Sequence, residues 1–511
     1  MTTASAVIAT PAATIATLGT TASAAAVTET DVLIVGAGFA GIGMGIRLAR
    51  DTARSFLILE RANDIGGTWR DNSYPGVACD IPSHLYSFSF RPKADWSRLF
   101  APGAEILDYL RDCVATEGLT PHLRLGTSVN TMQWKADASR WQVTTNRGTF
   151  LARTLIIAAG RLAEPQTPAV PGLDSFAGLT FHSSRWPDDL DLTGKRVGVV
   201  GSGASAVQLL PSVVAAAAST VVFQRSAAYV LPRTDHEYSP AELRRFERDP
   251  EHIARTRSRL FWDAETGFAA RITTGPSDPL AALCSRALDH LAAHVTDGRL
   301  RTQLTPTYEI GCKRVLFSSD YYPALSSDSV SVEPALNRVD GRAVYAENGS
   351  HHDLDVLILA TGFESARPPF AQQVIGRDGQ ILADHWRNGM TAYASTAVHG
   401  FPNLFIIDGP NASLGHNSAV FMIETQVEYI LGALAHLHTA DATVLEVSAE
   451  AEAAYVAELD RAAGSTVWLT GGCDSWYVDP LSRRLTLLWP DFAHTFRQRL
   501  GTFDPQVYRP S

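Results

Sequence analysis

The sequence predicts an α/β protein that contains two nucleotide-binding units, and three observations support this. An apolar run, a glycine-rich turn and a helical pattern follow one another at Gly36 and again at Gly201. Each pattern is followed by a second apolar run, as expected for a strand–turn–helix–strand unit. The chain has 511 residues, which exceeds what one core organises and indicates two or three domains.

Composition and charge disfavour several classes of protein. Apolar residues make up 45% of the chain and charged residues 19%, which is typical of a globular protein. The net charge of −10 argues against a nucleic-acid partner or an anionic membrane surface. No run of about 18 uncharged apolar residues predicts a membrane span. Residues 1–28 are rich in Ala, Thr and Ser and lack the basic start of a secretory signal, so we expect a disordered extension there.

The cysteine pattern indicates free thiols. The number of cysteines is odd and no two of them form a CxxC pair. We therefore expect reduced thiols in a cytoplasmic protein, and neither a disulfide framework nor a metal site. The five cysteines are Cys79, Cys113, Cys284, Cys312 and Cys473.

The first unit has the features of an FAD site. Its apolar run, residues 31–35, ends in Gly36, Gly38 and Gly41, which let the backbone approach a pyrophosphate at the N-terminus of the following helix. The second apolar run ends in Glu60, 19 residues beyond Gly41. A carboxylate in this place accepts hydrogen bonds from a ribose diol.

The second unit repeats the first but differs at one informative position. Its turn reads Gly201, Ser202, Gly203, Ala204, Ser205, Ala206. Arg225 follows Gly201 by 24 residues, the same interval that separates Gly36 from Glu60. An acid at this position would repel a 2′-phosphate, whereas arginine, helped by Ser226, can bind one. The second unit therefore suits NADPH, unless Arg225 only pairs with a surface acid.

The intervening segments complete the expected architecture. A strand over 155–158 ends at Gly160, and a matching strand over 356–359 ends in Ala360, Thr361 and Gly362. Small residues at both strand ends allow close approach of a nucleotide or a crossing chain, which is typical of flavoproteins with two dinucleotide sites. Residues 136–149 suggest a β-meander, and the tail 476–492 suggests a closing strand pair.

These patterns predict two Rossmann-like domains and a helical insert. We expect the FAD-binding domain to comprise 29–165 and 386–511, and the NADP-binding domain 166–237 and 304–385. Residues 238–303 have helical spacing and dense charge, so they form the insert, which could wall a substrate cavity.

Several motifs, in a common order, resemble the Baeyer–Villiger monooxygenases, which are class B flavoprotein monooxygenases. The connector FAGLTFHSSRWP, residues 176–187, resembles the family fingerprint through Phe176, Gly178, His182, Trp186 and Pro187. The segment GGTWRDNSYPGVACD, residues 66–80, is similar to a second family motif. Lys313-Arg314 before a Tyr-Tyr-Pro segment resembles the active-site arginine region, and the tail SWYVDPLSRRLTLLWP is similar to that of many members.

The resemblance implies a reaction and roles for individual residues. It implies that NADPH reduces FAD, that O2 then gives a C4a-peroxyflavin, and that this attacks a ketone to form an ester or lactone. By resemblance, Arg314 stabilises the developing negative charge, Asp80 orients Arg314, and Lys313 joins Arg225 at the 2′-phosphate. The cofactor-binding set extends to Gly67, Thr68 and Trp69, and the connector residues act as a hinge between the domains.

Other interpretations stay open from the sequence. Asp80 alone could cap a helix or turn, Arg314 alone could be a surface residue, and His182 could be a general base. Two departures are Val315, where many members carry proline, and Ala206, where the first unit has glycine.

Competing functions are also open. The runner-up is an N- or S-oxygenating flavin monooxygenase. A dithiol–disulfide reductase would need two cysteines over the flavin, and only Cys79 lies near Gly66. A nucleotide-binding protein without catalysis is a further possibility. The ketone and the oligomeric state are not determined by the sequence.

Overall fold

The structure is a computed structural model that describes residues 27–272 and 278–510. Most of the predicted N-terminal extension, residues 1–26, lies outside the described residues. Residues 27 and 28 already belong to the first strand, so the predicted end of the extension at residue 28 is wrong.

The described chain forms twenty strands. In chain order they are β1 (Val27–Val35), β2 (Phe56–Leu59), β3 (Leu123–Arg124), β4 (Val129–Lys135), β5 (Arg140–Thr145), β6 (Gly148–Ile157), β7 (Leu179–His182), β8 (Arg196–Val200), β9 (Ser219–Phe223), β10 (Val230–Leu231), β11 (Leu316–Phe317), β12 (Val330–Glu333), β13 (Leu336–Asp340), β14 (Ala343–Ala346), β15 (His351–Asp353), β16 (Val356–Leu359), β17 (Val374–Ile375), β18 (Leu404–Ile406), β19 (Leu445–Val447) and β20 (Tyr508–Pro510).

Fourteen α-helices and six short 3-10 turns are described. The α-helices are α1 (Phe39–Asp51), α2 (Thr68–Asp71), α3 (Gly103–Thr116), α4 (Ala204–Ala216), α5 (Pro240–Arg248), α6 (Pro250–Ile272), α7 (Asp278–His294), α8 (Gly298–Gln303), α9 (Tyr321–Leu325), α10 (Leu382–His385), α11 (Ala419–Thr439), α12 (Ala449–Ala463), α13 (Val467–Thr470) and α14 (Ala493–Leu500). Among the described residues, no helix is long and apolar enough to cross a membrane.

The larger sheet has eight strands and is organised by the long strand β6. Seven of the strands follow the order β17-β4-β5-β6-β1-β2-β3, and the eighth, β18, pairs with β6. The first half of β6, residues 148–152, pairs antiparallel with β5, and its second half, residues 155–157, pairs parallel with β18 on the same edge. On its other edge, β6 runs parallel to β1. The predicted meander and the predicted strand over 155–158 are therefore parts of one continuous run, because β6 is long enough to serve both.

The second sheet has five strands, all parallel, in the order β12-β9-β8-β16-β7. Its central strands are apolar along their length, as expected for a parallel sheet covered on both faces. The connector is part of this sheet, since β7 is an edge strand paired with β16. Both predicted glycine-rich units thus form strand–turn–helix–strand structures at the centres of two sheets.

The predicted helical insert and the predicted strand pair in the tail compare differently with the structure. The described part of the segment 238–303 contains α5, α6, α7 and α8. The predicted strand pair in the tail is wrong, because residues 476–492 contain only isolated bridges, including Val478 with Leu485. Arg483 in this segment has a φ of 61°, which interrupts an extended strand.

Candidate active site

One large cavity lies where the two sheets face each other. Its volume is about 1190 Å³, more than a single ordinary ligand pocket provides. Both glycine-rich turns open into it, and so do the strand ends at Gly160 and Gly362. The lining includes nearly all predicted cofactor residues: Gly36, Gly38, Glu60, Gly67, Thr68, Trp69, Asp80, Gly201, Gly203, Ala204, Ser205, Arg225, Ser226, Lys313, Ala360, Thr361 and Gly362.

At the first sheet, register places the candidate FAD residues side by side. Val35 pairs with Leu59 and with Ile157, so the three strand ends form one edge. The amide of Gly36 donates to the carbonyl of Leu59 at 2.8 Å. A Cβ on Gly41 would lie only 1.8 Å from the oxygen of Gly36, so α1 contacts the turn directly. Gly41 therefore supports the turn from behind and does not line the cavity.

Glu60 is buried at this edge and is already partly hydrogen-bonded. Its Oε2 accepts from the amide of Ala37 at 3.0 Å, and its Oε1 accepts from the amide of Ala62 at 3.0 Å. Arg70 lies 3.1 Å from Oε1 as an ion-pair partner. These contacts fix the carboxylate at the cavity wall, where its remaining acceptor capacity can meet a ribose.

A short helix forms the next part of the wall. Gly67 precedes α2 and has a φ of 52°, in the left-handed region that glycine tolerates without strain. Gly67 packs closely against Gly38, since a Cβ added to Gly67 would lie 3.3 Å from the Gly38 Cα. Thr68 and Trp69 begin α2 and line the cavity beside the first turn.

The second sheet repeats this edge. Val200 pairs with Phe223 and Leu359, and the amide of Gly201 donates to the carbonyl of Phe223 at 3.0 Å. Gly203 precedes α4 and carries no side chain that caps the helix. A Cβ on Gly203 would meet nothing within 4 Å, so this position faces open space in the cavity.

A cationic group lies beside the second turn. Arg225 is exposed and has no ion-pair partner among the described residues. Lys313 donates from Nζ to the Ser226 hydroxyl at 2.7 Å, which brings the lysine to the same place. Burial and the nearby charge of Arg225 lower the pKa of Lys313. The charge of Asp474 acts on Lys313 in the opposite direction, so one acid lies near this group. Two cations and a hydroxyl form a suitable site for a phosphate dianion.

Arg314 and Asp80 form a two-pronged ion pair within the cavity. Arg314 donates from Nε and Nη2 to the two oxygens of Asp80 at 2.8 and 2.9 Å, across 234 residues of sequence. Burial would raise the pKa of Asp80, but the charge and hydrogen bonds of Arg314 outweigh it and lower the pKa. Burial opposes the Arg314 cation, whereas Asp80 and the adjacent Tyr477 raise its pKa. The guanidinium is therefore charged and fixed in direction.

A disulfide bond fixes the segment that carries these cations, and it contradicts the cysteine prediction. Cys312, next to Lys313, is bonded to Cys473, 161 residues further on. Cys473 belongs to the segment that supplies Trp476 and Tyr477 to the cavity wall. The prediction of reduced thiols is wrong for this pair, because spacing along the chain does not reveal which distant cysteines the fold brings together. The other three cysteines are free.

The two segments in which the chain passes from one sheet to the other are also hydrogen-bonded to each other. The Thr361 hydroxyl donates to the carbonyl of Gln166 at 2.5 Å. The Gln166 amide donates to the carbonyl of Gly362 at 2.8 Å. Gly160 and Ala360 thus mark the two passages between the sheets, and both line the cavity.

The sequence did not single out a second ion pair in the cavity wall, which is partly buried. Arg161 donates from Nη1 to Asp408, and both residues line the cavity. Burial raises the pKa of Asp408, although Arg161 opposes this. Arg161 follows β6 closely and Asp408 follows β18. Residues just beyond the carboxyl ends of parallel strands often line a ligand site, so this position in the sequence could have indicated the pair.

The connector residues do not reach the cavity. None of Phe176, Gly178, His182 and Trp186 is among its lining residues. His182 ends β7 opposite Leu359, and its Nδ1 accepts a hydrogen bond from the Ser184 amide at 3.1 Å. Burial lowers the pKa of His182 to about 4. A buried, neutral histidine away from the cavity is not placed to act as a general base.

Comparisons with known proteins agree with this geometry. A family profile described as pyridine nucleotide-disulphide oxidoreductase matches residues 33–255. A Baeyer–Villiger monooxygenase of Streptomyces coelicolor is 41% identical over 485 residues, covering 94% of this chain and 93% of the relative. A Baeyer–Villiger monooxygenase of Pseudomonas aeruginosa is 39% identical, covering 96% and 93%. A phenazine N-monooxygenase of Lysobacter antibioticus is 31% identical, covering 86% and 89%.

Solved structures give the same result. Cyclohexanone monooxygenase from a Rhodococcus species, bound to NADP+, superposes with a TM-score of 0.86 at 28% identity, covering 95% of this chain and 100% of that one. OTEMO in complex with FAD and NADP superposes with a TM-score of 0.84 at 25% identity, covering 94% and 99%. The likeness extends over both sheets and the insert.

Proposed function

The chain belongs to the Baeyer–Villiger monooxygenases, which makes it an FAD-containing, NADPH-dependent enzyme, and we propose that it inserts one oxygen atom next to a ketone carbonyl. The product is an ester or a lactone. The observation that carries this proposal is the Arg314–Asp80 ion pair, which lies in the same cavity as both nucleotide-binding edges. When bound and reduced, the flavin supplies the activation of O2.

We propose that the first edge holds FAD. The N-terminus of α1, at Gly38, has no side-chain cap, so its amides are available to a pyrophosphate. Glu60 accepts the ribose hydroxyls. Gly67, Thr68 and Trp69 cover the cofactor from the side of α2. The glycine turn that lines the cavity and the uncapped helix fit this group.

We propose that the second edge holds NADPH. Gly201, Gly203, Ala204 and Ser205 surround the uncapped N-terminus of α4, which suits the pyrophosphate. Arg225, Ser226 and Lys313 bind the 2′-phosphate, because two cations and a hydroxyl lie together there and Arg225 has no ion-pair partner among the described residues. The alternative, that Arg225 pairs with a surface acid, has no support among the described ion pairs.

We propose that Arg314 is the catalytic cation. A guanidinium that is fixed before the reaction stabilises negative charge on the reacting oxygens without reorganising, which is a large effect in a site with little water. Asp80 positions it through two bonds and keeps it protonated. Asp80 therefore acts mainly through Arg314, as an orienting residue.

The connector has a supporting role in this proposal. His182 lies at the end of β7, opposite Leu359 and next to the passage at Ala360. Phe176 and Gly178 precede the start of this edge strand, and Trp186 packs on Phe181 within it. We propose that they couple the NADPH-binding sheet to the FAD-binding sheet. Small rotations of one sheet relative to the other would then accompany changes in the position of the nicotinamide.

The test compares Arg314→Ala with Arg314→Lys. Both variants should bind FAD and be reduced by NADPH at a rate close to that of the wild type, because reduction does not need the guanidinium. Arg314→Ala should form no ester, and Arg314→Lys should recover little, since an ammonium cannot make the two-pronged contact with Asp80. Stopped-flow absorbance follows reduction, and gas chromatography measures product from a ketone panel. Normal ester formation by Arg314→Ala would refute the role.

Oxygenation at nitrogen or sulfur is the second candidate, and the phenazine N-monooxygenase relative favours it. The same ketone panel, run beside a set of amines and sulfides, separates the two. N-oxides or sulfoxides without any ester would replace the proposed reaction by this one. A dithiol–disulfide reductase is disfavoured, because neither Cys312 nor Cys473 lines the cavity.

A further inference from the structure

The described part of the helical insert does not line the cavity, yet it contacts the cavity wall through one buried carboxylate. None of the insert residues that the structure describes is among the lining residues, so the expectation that the insert walls the cavity is wrong for that part. Glu265 on α6 has a side chain that is only 2% exposed. A buried carboxylate needs hydrogen-bond donors to offset its loss of water.

Glu265 receives five hydrogen bonds from two other parts of the chain. His416 donates from Nε2 at 2.9 Å, and Asn417 donates from Nδ2 at 2.8 Å. His494 donates from Nδ1 at 2.8 Å and from its amide at 3.1 Å. The amide of Ala493 donates at 3.3 Å. These bonds outweigh burial and lower the pKa of Glu265 to about 2, so the carboxylate is ionised at neutral pH.

The donors lie on two separate elements. His416 and Asn417 end the loop 409–418 between β18 and α11, and Ala493 and His494 begin α14. A carboxylate at the N-terminus of α14 is also favoured by the helix dipole. Glu265 therefore joins the insert, the loop and the C-terminal helix.

The loop 409–418 forms part of the cavity wall. Ser413, Leu414 and Asn417 are among the lining residues. The loop has no regular structure, and Asn411 has a φ of 52°, which is uncommon for a residue other than glycine. An irregular segment keeps one conformation only when its surroundings impose it. At the Asn417 end of the loop, Glu265 provides that constraint.

A second contact shows that α6 also holds the segment that follows Asp80. Arg257 lies two helical turns before Glu265 and donates from Nη1 to the carbonyls of His84 and Ser87 at 2.8 and 2.7 Å. These carbonyls belong to the segment that follows Asp80. Between the two, the ring of Phe261 packs against Phe421 at 4.7 Å. The face of α6 that carries positions 257, 261 and 265 thus contacts two segments that also supply cavity-lining residues, Tyr86 in one and Asn417 in the other.

We propose that Glu265 is a positioning residue for the oxygenation reaction, which fixes the loop 409–418 against the cofactor through His416 and Asn417. The proposal rests on FAD binding in this cavity and extends the proposed function. The described part of the insert thereby contributes to the active site without lining the cavity.

The experiment uses Glu265→Gln in the full-length holoenzyme. Gln keeps the shape but removes the charge, and its amide nitrogen cannot accept from the histidines or from α14. We expect a changed visible circular dichroism spectrum of bound FAD. We also expect a kcat lower by about tenfold with an unchanged KM for NADPH, because small displacements near the reacting atoms cost rate. Asp263→Asn is the matched control, since Asp263 is an exposed carboxylate on the same helix.

Two further variants decide the matter if Glu265→Gln does not fold. His416→Asn removes the contact to the loop, and His494→Asn removes the side-chain contact to α14. We expect His416→Asn to change the flavin spectrum and His494→Asn to lower only the melting temperature. Equal effects of both on the spectrum, or a wild-type spectrum and kcat in Glu265→Gln, would overturn the proposal. If the wild type forms no ester, the proposed function fails, while the flavin spectrum still tests Glu265.

Discussion

Replacing Gly41 by alanine tests whether the first turn depends on direct contact with α1. A Cβ at this position would lie 1.8 Å from the oxygen of Gly36 and 3.0 Å from its carbonyl carbon. Because carbon and oxygen atoms need more than about 3 Å, α1 would have to retreat by about 1.5 Å. Overpacking of this kind costs about 1–3 kcal/mol. If α1 must return to its original position before FAD can bind, this cost lowers the affinity for FAD by about 5- to 150-fold.

The assay measures FAD content, the dissociation constant of FAD and the melting temperature of the apoprotein. The control is Gly203→Ala in the second turn, where an added Cβ meets nothing within 4 Å and φ is −82°. The control should keep its FAD and its melting temperature and lose only affinity for NADPH. Full FAD content and a normal melting temperature in Gly41→Ala would refute the steric argument. The position aligned with Gly41 in the second unit is Ala206, so the constraint is specific to the first.

Three other predictions concern charge, cross-linking and pH. Arg225→Ala should weaken NADPH binding by about 1.5–3 kcal/mol without affecting NADH, and an unchanged NADPH/NADH preference in steady-state kinetics would contradict the 2′-phosphate site. Cys473→Ser removes the bond that closes a loop of 161 residues, so it should lower the free energy of unfolding by up to about 5 kcal/mol. Urea unfolding of the wild type and the variant, with and without a thiol reductant, measures this difference. Identical unfolding curves for the wild type and the variant without reductant would exclude the bond. His84 is buried among aromatic rings with both ring nitrogens unbonded within the described chain, and burial lowers its pKa from 6.5 to about 4. Between these pH values His84 gains a proton in the unfolded chain but not in the folded chain, so the wild type loses stability as the pH falls. His84→Phe should lose less stability, which melting curves at pH values on either side of 6.5 measure. An equal loss of melting temperature in the wild type and the variant would argue against the assignment.

Local patterns were sufficient for the parts of the site that repeat within one unit. Gly36 and Glu60 are close in sequence, and the register of β1 with β2 places them at one edge, as the spacing predicted. The same holds for Gly201 and Arg225. In both units the strand, turn and helix are specified by consecutive residues, so no distant contact is needed to recognise them.

The parts that the sequence did not predict depend on distant contacts. Cys312 and Cys473 are 161 residues apart, and neither has a local motif. The tail was expected to form strands because apolar residues recur in it. It is held instead by polar contacts of Asp479, which accepts from Arg367 and from the amides of Leu481 and Ser482. Side-chain bonds of this kind leave no periodic signal.

The cavity wall explains why these distant contacts matter for function. The segments that carry Arg314, Asp80 and Asn417 are all irregular, so strand or helix hydrogen bonds do not hold them. Each is fixed from outside: the first by the disulfide to Cys473, the other two by α6. A chemical group that must meet forming charge within a fraction of an ångström needs such support. Variation in the insert or the tail can therefore change the reaction while every residue that lines the cavity stays the same.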